Sequence, residues 1–483
     1  MTPAWIVRDK PMTSLAFLFP FLFFAAWPSR MWNFDGVACA AALELGKSIY
    51  FFHSNHLLYG FLGYVFWKPL PYSLLPRALP ALQLFTSLLS AGAMVGVYQL
   101  LKRILDERRL ALALTVGLSL TAVVWVWSIE AQVYALGFLA LAWATAELFK
   151  PESSAKWRRI GWLHAGAILG HIVHVLWIIP AIYWLTRENT VEQRRKIRDY
   201  GLRLALGVGI PYLLVVFYML GIKVNLHWFA KWLLGSASLN PNSLFAWHFA
   251  GVGAPLEWLW VTPRIFWGSF WPYHVVPTGL VWITTGFSIA TLVMLLGFSW
   301  KHHRAKPWVF SVLWLAVYGV FFWTWEPRTE CYRLTDVIPY GILLALGLKS
   351  LRRPALQWGC VAVLAATFAV INIQTRVIPM HQASNNALYQ EILTLEAATP
   401  TNSLYLTAGG PRWIYLLYFT GRSAWNVQTF SRNPEFLRRE ISRHKTGIPV
   451  YINAEALPLG SAPQWLPPGN LKQVGSIPWM QLQ

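Results

Sequence analysis

The chain has 483 residues, 56% of them hydrophobic and 12% charged, with a mean hydropathy of +0.43. A soluble globular protein carries roughly 25% charged residues, and repeated apolar runs of about 18 residues or more define instead a polytopic α-helical membrane protein. The formal charge of +20 does not mark a nucleic-acid binder: the basic residues fill short gaps between apolar runs, the positive-inside pattern of cytoplasmic loops.

Those gaps, at Lys102-Arg103, Arg108-Arg109, Lys156 to Arg159, Arg194 to Arg198, Lys301 to Arg304 and Arg352-Arg353, fix the expected topology. A first helix from Met12 to Trp27 runs from inside to outside and is retained, because Ala25-Ala26-Trp27-Pro28 has no small-x-small cleavage site. An outer segment over about 28–77 follows, with an amphipathic piece from His56 to Trp67. Spans at about 78–101, 110–127 and 133–149 come next, the last two meeting outside at Trp127 to Tyr134. The stretch between Arg159 and Arg187 has basic markers at both ends, so it is expected to be two short helices turning at Gly170-His171 and shielded by protein. A span at about 200–220 leads to a Trp-rich outer segment, about 221–275, and then to spans at about 276–299, 307–325, 332–350 and 355–373. The total is about eleven transmembrane helices, with the N-terminus cytoplasmic.

Residues 1–375 form the expected membrane domain. Residues 376–483 change character: Ser403–Thr407, Ala424–Thr429 and Ile448–Asn453 read as strands, alternating with helical stretches at Trp413–Tyr418 and Pro434–His444. That alternation predicts a small extracytoplasmic α/β domain. Cys39, Cys331 and Cys360 lack metal-ligand spacing, and Cys39 with Cys331 on the outer side leaves a disulfide conceivable.

Acidic residues are scarce and therefore informative. Asp35, Glu44, Glu130, Glu257, Glu326, Glu330 and Asp336 fall on the expected outer face, with Lys223, Arg264, Arg328 and Arg333, and with His53, His56 and His171. A carboxylate at a membrane boundary is expensive to desolvate and usually has a job. Asp35 has two readings: a catalytic carboxylate, or an N-cap for the helical run Val37 to Leu45. Glu130, framed by aromatic and apolar residues, could hold a metal, a sugar hydroxyl or an arginine. The His53/His56 and His171/His174 pairs have helical spacing but too few matched ligands for a metal site. Gly409-Gly410-Pro411 reads as a turn, not a phosphate loop.

A lipid-phosphate sugar donor would use such a set. Its anionic leaving group needs an arginine fork, and the acceptor hydroxyl needs a base opposite the leaving group. Asp35 fits the base, and Arg328 or Arg333 fits the phosphate.

The order of an acidic residue after the first span, an Ala-rich helix, Leu45-Gly46, His53, Tyr59 and an amphipathic stretch resembles the GT-C superfamily of membrane glycosyltransferases, nearest its bacterial protein O-mannosyltransferase-like branch. Ile129 to Leu136, Gly170-His171, the Arg328–Arg333 loop, and Ser403–Thr407 with Tyr415-Leu-Leu-Tyr resemble further segments of that family. The sequence departs from it at Ser54-Asn55-His56, where a Pro-rich step is usual, and at Asp35-Gly36, where eukaryotic members have Asp-Glu. If a second carboxylate is needed, Glu130 is its source.

The resemblance implies inverting transfer of a hexose or pentose from a polyprenyl-phosphate donor to a protein, lipid or glycan acceptor, at the outer face of a bacterial inner membrane. Asp35 and Glu130 are then the expected catalytic residues, and His53, His56, Tyr59, His171, Arg264, Arg328 and Arg333 the expected substrate-binding ones. No cofactor motif is present, no metal ligand is assigned, and a divalent cation is left open. The alternatives are a lipid or sugar transporter or flippase, for which no internal repeat is visible, and another polyprenyl-phosphate enzyme such as a polysaccharide ligase.

Overall fold

The computed structural model describes residues 4–46, 51–187, 192–220, 232, 253–268, 279–408, 410–427, 434–445, 447–457, 466, 471–475 and 477–482. Most of the Trp-rich segment 221–275, including Lys223, Trp228, Trp247 and Trp271, lies outside the described residues.

The chain begins with α1 (Ala4–Ala26), α2 (Phe34–Glu44), α3 (Tyr59–Trp67) and α4 (Ala78–Leu105). It continues through α5 (Arg108–Ser119), α6 (Ala122–Ser128), α7 (Tyr134–Leu148), α8 (Lys156–Gly170), α9 (Ile178–Thr186) and α10 (Gln193–Leu220). Further long helices are Gly279–Ser299, Lys306–Thr324, Val337–Lys349 and Pro354–Asn372. Among the described residues six helices are long and apolar enough to cross a membrane, and α5 with α6, bent by 67°, would add a seventh. Lys10–Ala26, Tyr134–Leu148 and Ile172–Thr186 are apolar but shorter. The protein is a multi-pass helical membrane protein.

Local chemistry sets the breaks. Asp106 ends α4 in the left-handed conformation at φ +61°, which Asp tolerates better than bulky residues, and the Glu107 side chain caps α5 through the Arg109 N–H at 2.8 Å. The expected pair of short helices turning at Gly170-His171 is present as α8, a 3-10 turn over Ile172–Trp177, and α9. The turn needs glycine, because a Cβ at Gly170 would lie 2.6 Å from the Gly137 backbone nitrogen of α7. Protein covers the pair on one side only: α8 packs on α7 and α10, and α9 on Lys306–Thr324, while Val175, Ile179 and Ile182 stay exposed.

The basic gaps gather at one end of the bundle. Arg103 donates to the Ala146 carbonyl at 2.6 Å, Lys349 reaches the Ile104 carbonyl, and Arg159 and Lys150 share Glu147. The other end carries the C-terminal α/β domain. Its sheet contains β1 (Leu404–Thr407), β2 (Ser423–Asn426), β3 (Val450–Asn453), β4 (Leu471–Gln473) and β5 (Trp479–Leu482), in the order β2-β1-β3-β5-β4. The first three strands run parallel, and β4 and β5 join antiparallel. Alternation sorts the faces: Leu404, Leu406, Val450 and Ile452 pack under the Pro434–Lys445 helix, whereas Tyr405, Tyr451 and Trp479 join the main core.

The domain is tied to the loop after α1. Arg30 N–H donates to the Met380 carbonyl at 2.7 Å, His381 Nδ1 meets the Pro28 carbonyl at 2.9 Å, Asn386 Nδ2 donates to the Arg30 carbonyl, and the Tyr415 hydroxyl donates to the Trp32 carbonyl. Glu44, at the end of α2, takes both Arg77 Nε and the Tyr418 hydroxyl, while Arg77 lies 4.1 Å over the Tyr418 ring. Helix α2 is thereby clamped between α4 and the C-terminal domain.

Candidate active site

One helix face organises the site from below. Gln83, Thr86, Ser87 and Ser90 recur on one side of α4 at helical spacing and are buried. Gln83 donates to the Ser29 and Ile129 carbonyls at 2.7 and 3.1 Å, Ser87 to the Ser128 carbonyl at 2.9 Å, and Thr86 accepts the Gln132 N–H at 3.2 Å. Buried hydroxyls and amides need partners, and Gln83, Thr86 and Ser87 find theirs in two loops, 28–33 and 128–132, which α4 thus holds side by side.

Helix α2 rises from the first loop. Its N-cap is Asn33, whose side chain accepts the Asp35 N–H at 2.9 Å, so the capping role open to Asp35 belongs to Asn33. Asp35 sits in the first turn, and among the described residues no hydrogen bond or ion pair holds its carboxylate. Burial raises its pKa above the ordinary carboxylate value, which favours proton uptake. The carboxylate lies close enough to Cys39, Tyr134, Cys331 and Tyr332 to act on each electrostatically. Close approach to the second loop requires Gly36: a Cβ there would meet the Ala131 carbonyl oxygen at 2.5 Å.

The aromatic wall continues to the histidines. The Tyr134 ring is 5.3 Å from Tyr332 and 5.0 Å from His171, and His171 is 5.8 Å from Tyr332. His171 Nδ1 accepts the Val173 N–H at 3.2 Å, which leaves the proton of a neutral ring on Nε2 as a donor. His53 and His56 stack at 4.3 Å, and His53 Nδ1 accepts the Asn55 N–H. Burial, with His53 and His171 beside it, holds His56 well below the usual imidazole value and neutral at pH 7. Two backbone bonds dock this loop on the α8–α9 turn: Ile172 N–H to the Asn55 carbonyl at 2.7 Å, and Leu58 N–H to Leu169 at 3.2 Å.

Asp35, His53, His56 and His171 are thus joined through Tyr134 and Tyr332. Glu130 stands beside them but faces the backbone: 2% exposed, it accepts the Asn33 N–H at 3.3 Å and a bond from Ser29. Burial pushes its pKa up to about 7, against the opposing pull of those two bonds. Tyr59 is fully buried with its hydroxyl 2.8 Å from Thr86, inside the packing of the α4 stripe.

The arginines part company. Arg328 is exposed and paired with Glu257. Arg333 is buried, ion-paired with Asp336 three residues on, and 4.6 Å over Trp258. Arg264 lies 3.7 Å from Glu330, which also takes Arg376 at 3.0 Å, so two guanidiniums share one carboxylate and keep a net positive charge. Cys39, Cys331 and Cys360 are free thiols, so the Cys39–Cys331 disulfide does not form here. No three His, Cys, Asp or Glu side chains converge on a metal site among the described residues.

No protein-family model matches the chain, and no curated protein matches its sequence. Solved structures do match its shape. Apo ArnT from Cupriavidus metallidurans superposes with a TM-score of 0.59 at 13% identity, over 99% of this chain and 97% of that one. Arabinofuranosyltransferase AftD from Mycobacteria superposes with a TM-score of 0.53 at 14% identity, over 92% of this chain and 35% of that one. The architecture is the GT-C fold.

In this GT-C fold sequence reasoning missed Tyr134, Tyr332 and Arg376. Tyr134 lies within the Ile129 to Leu136 segment and Tyr332 at the start of an apolar run, and neither is among the expected site residues. Arg376 is aimed by a π-helical segment, Ile373–Val377, at the end of an apolar helix, which nothing in the pattern announces.

Proposed function

We propose that the protein is an inverting glycosyltransferase that takes a sugar from a polyprenyl phosphate and works at the extracytoplasmic face of the plasma membrane. The observation that carries the reading is Asp35: a half-buried carboxylate without a partner among the described residues, beside Tyr134 and Tyr332, whose rings in turn meet His171, in a GT-C fold.

Asp35 accepts the proton of the acceptor hydroxyl as that oxygen attacks the anomeric carbon, and the phosphate leaves from the opposite side with inversion. Tyr134, Tyr332 and the Nε2–H of His171 orient the sugar and acceptor hydroxyls, with His53 and His56 behind them. Arg264 and Arg376, two guanidiniums on the one Glu330 carboxylate, neutralise the leaving phosphate, whereas Arg328 and Arg333 are each balanced by a carboxylate of their own. Glu130 holds the loop that carries Asp35 and does not meet the substrate. The gathering of basic residues at one end of the bundle supports a cytoplasmic reading of that end, with the C-terminal domain and the site on the extracytoplasmic side.

The test is transfer itself. The purified full-length protein in lipid is given radiolabelled polyprenyl-phosphate mannose or arabinose with extracted envelope lipid, glycan and protein acceptors. Label moving to one acceptor class with inverted anomeric configuration supports the reading. Label that stays on the polyprenyl phosphate with every acceptor removes it.

A further inference from the structure

A groove of about 490 Å³ runs between the end of α1 and the start of α4, with Ser29, Gln83, Ser87 and Ile129 of the platform under the Asp35 loop on one wall. Phe24, Leu79, Leu84 and Phe419 supply its apolar lining, and Arg30 and Arg77 its charges. No acidic residue lines it. A second recess of about 410 Å³ adjoins it, shares Leu75 and Arg77, and adds Lys68 and Glu44, the latter already paired with Arg77. Helix α1 exposes Leu15, Leu18 and Leu22 below the groove, a surface suited only to hydrocarbon, while Trp27 and Trp32 stand at its upper end as interfacial aromatics do.

The cations have capacity to spare. Arg30 is exposed and makes no ion pair among the described residues. Arg77 commits Nε to Glu44 and Nη2 to the Tyr418 carbonyl at 2.6 Å, while Nη1 has no partner among the described residues. Two guanidiniums at the head of an apolar channel fit a phosphate with a hydrocarbon tail. The groove is not a second reaction centre: Glu44, which lines only the adjoining recess, is committed to Arg77 and Tyr418, and Glu130 to the Asn33 N–H.

We infer that this groove seats one anionic phospholipid of the surrounding leaflet, its phosphate between Arg30 and Arg77 and one acyl chain along Phe24, Leu79 and Leu84. The phosphate then lies on the arginine that clamps Glu44 and Tyr418, so the bound lipid braces α2, the helix that carries Asp35. The inference stands apart from the glycosyl-transfer reading, since it needs only the groove, its charge and a membrane.

The experiment uses the full-length protein in phosphatidylcholine nanodiscs carrying a small fraction of photoactivatable phosphatidylglycerol or photoactivatable phosphatidylcholine, with labelled peptides mapped after illumination. The expected result is labelling of the peptides around residues 22–32 and 75–87 by the anionic probe well above the zwitterionic one. Arg30→Gln lowers that preference about fivefold, the effect of losing one interfacial cation. Leu84→Trp, which fills the groove, lowers labelling by both probes, and both variants stay folded with wild-type helical content. Equal labelling by the two probes, or labelling unmoved by Arg30→Gln, shows annular lipid only and overturns the inference. Displacement of the probe by an equimolar amount of polyprenyl phosphate assigns the groove to a lipid substrate and overturns the phospholipid assignment.

Discussion

Asn33 joins Asp35 to Glu130: its side chain caps the Asp35 N–H at 2.9 Å, and its own N–H is taken by the Glu130 carboxylate at 3.3 Å. The two acidic residues that stand out in the sequence are therefore two ends of one short hydrogen-bonded relay. One end faces the aromatic cluster and the other holds the backbone in register. That division of labour sets what each substitution does.

Glu130 makes stability depend on pH. Its folded pKa of about 7 lies above the ordinary value of 4.5, so the folded protein holds a proton that the unfolded chain releases. Its contribution is fully present below pH 4.5 and is lost as pH rises through 7, a decline of about 3 kcal/mol at roughly 1.4 kcal/mol per pH unit. Thermal melting of Glu130→Gln between pH 4.5 and 8 is expected to lose that decline while transfer activity persists at a reduced level. A Glu130→Gln protein with native stability at every pH and no transfer would make Glu130 a catalytic group.

Gly36→Ala tests the contact between α2 and the second loop. The added Cβ meets the Ala131 carbonyl oxygen at 2.5 Å and the Ala131 Cβ at 2.9 Å, so the helix must shift. Overpacking of this kind costs about 1–3 kcal/mol. A folded Gly36→Ala protein with much-reduced turnover and near-normal donor binding is the expected outcome; unchanged turnover would show that Asp35 tolerates displacement.

The Glu44–Arg77–Tyr418 clamp predicts that the C-terminal domain steadies the first outer loop. Tyr418→Phe removes a hydroxyl shared by Glu44 at 2.8 Å and the Leu79 N–H at 3.2 Å, a loss of about 1 kcal/mol. Limited proteolysis is expected to cut the Tyr418→Phe protein faster in the exposed stretch 68–76 beside Arg77, and equal rates in mutant and wild type would show that the clamp does not steady the loop.

Arg264→Ala and Arg376→Ala are each expected to raise the KM for the lipid-phosphate donor about tenfold to a hundredfold, the range for a lost charge-assisted bond. Arg328→Ala, which breaks only the exposed pair with Glu257, is expected to leave donor KM within about twofold, as surface ion pairs contribute little. Equal effects of all three would show that the arginines act through bulk charge.

Hydropathy and basic gaps made the membrane class, most helix positions and the α8–α9 turn legible, because burial in lipid leaves a strong one-dimensional signal. The bend between α5 and α6 was not legible, since Leu120-Thr121 is apolar enough to continue a straight span. Strands β4 and β5 were missed because Leu471–Gln473 and Trp479–Leu482 are short and lack alternation. In the site, Asp35, His53, His56 and His171 stood out as scarce polar residues. Tyr134 and Tyr332 did not, because assembling them with Asp35 takes tertiary contacts between segments about 100 and 300 residues apart. Arg333 carried its own warning: Asp336, three residues on, was already in reach as its ion-pair partner.

The central claim is that Asp35 takes the acceptor proton. The measurement that tests it most directly compares wild type with Asp35→Asn for transfer from a radiolabelled polyprenyl-phosphate sugar, with donor binding measured on the same preparations. Loss of turnover by about a hundredfold or more, with donor affinity and melting temperature retained, is the predicted result. Wild-type turnover in Asp35→Asn would contradict it.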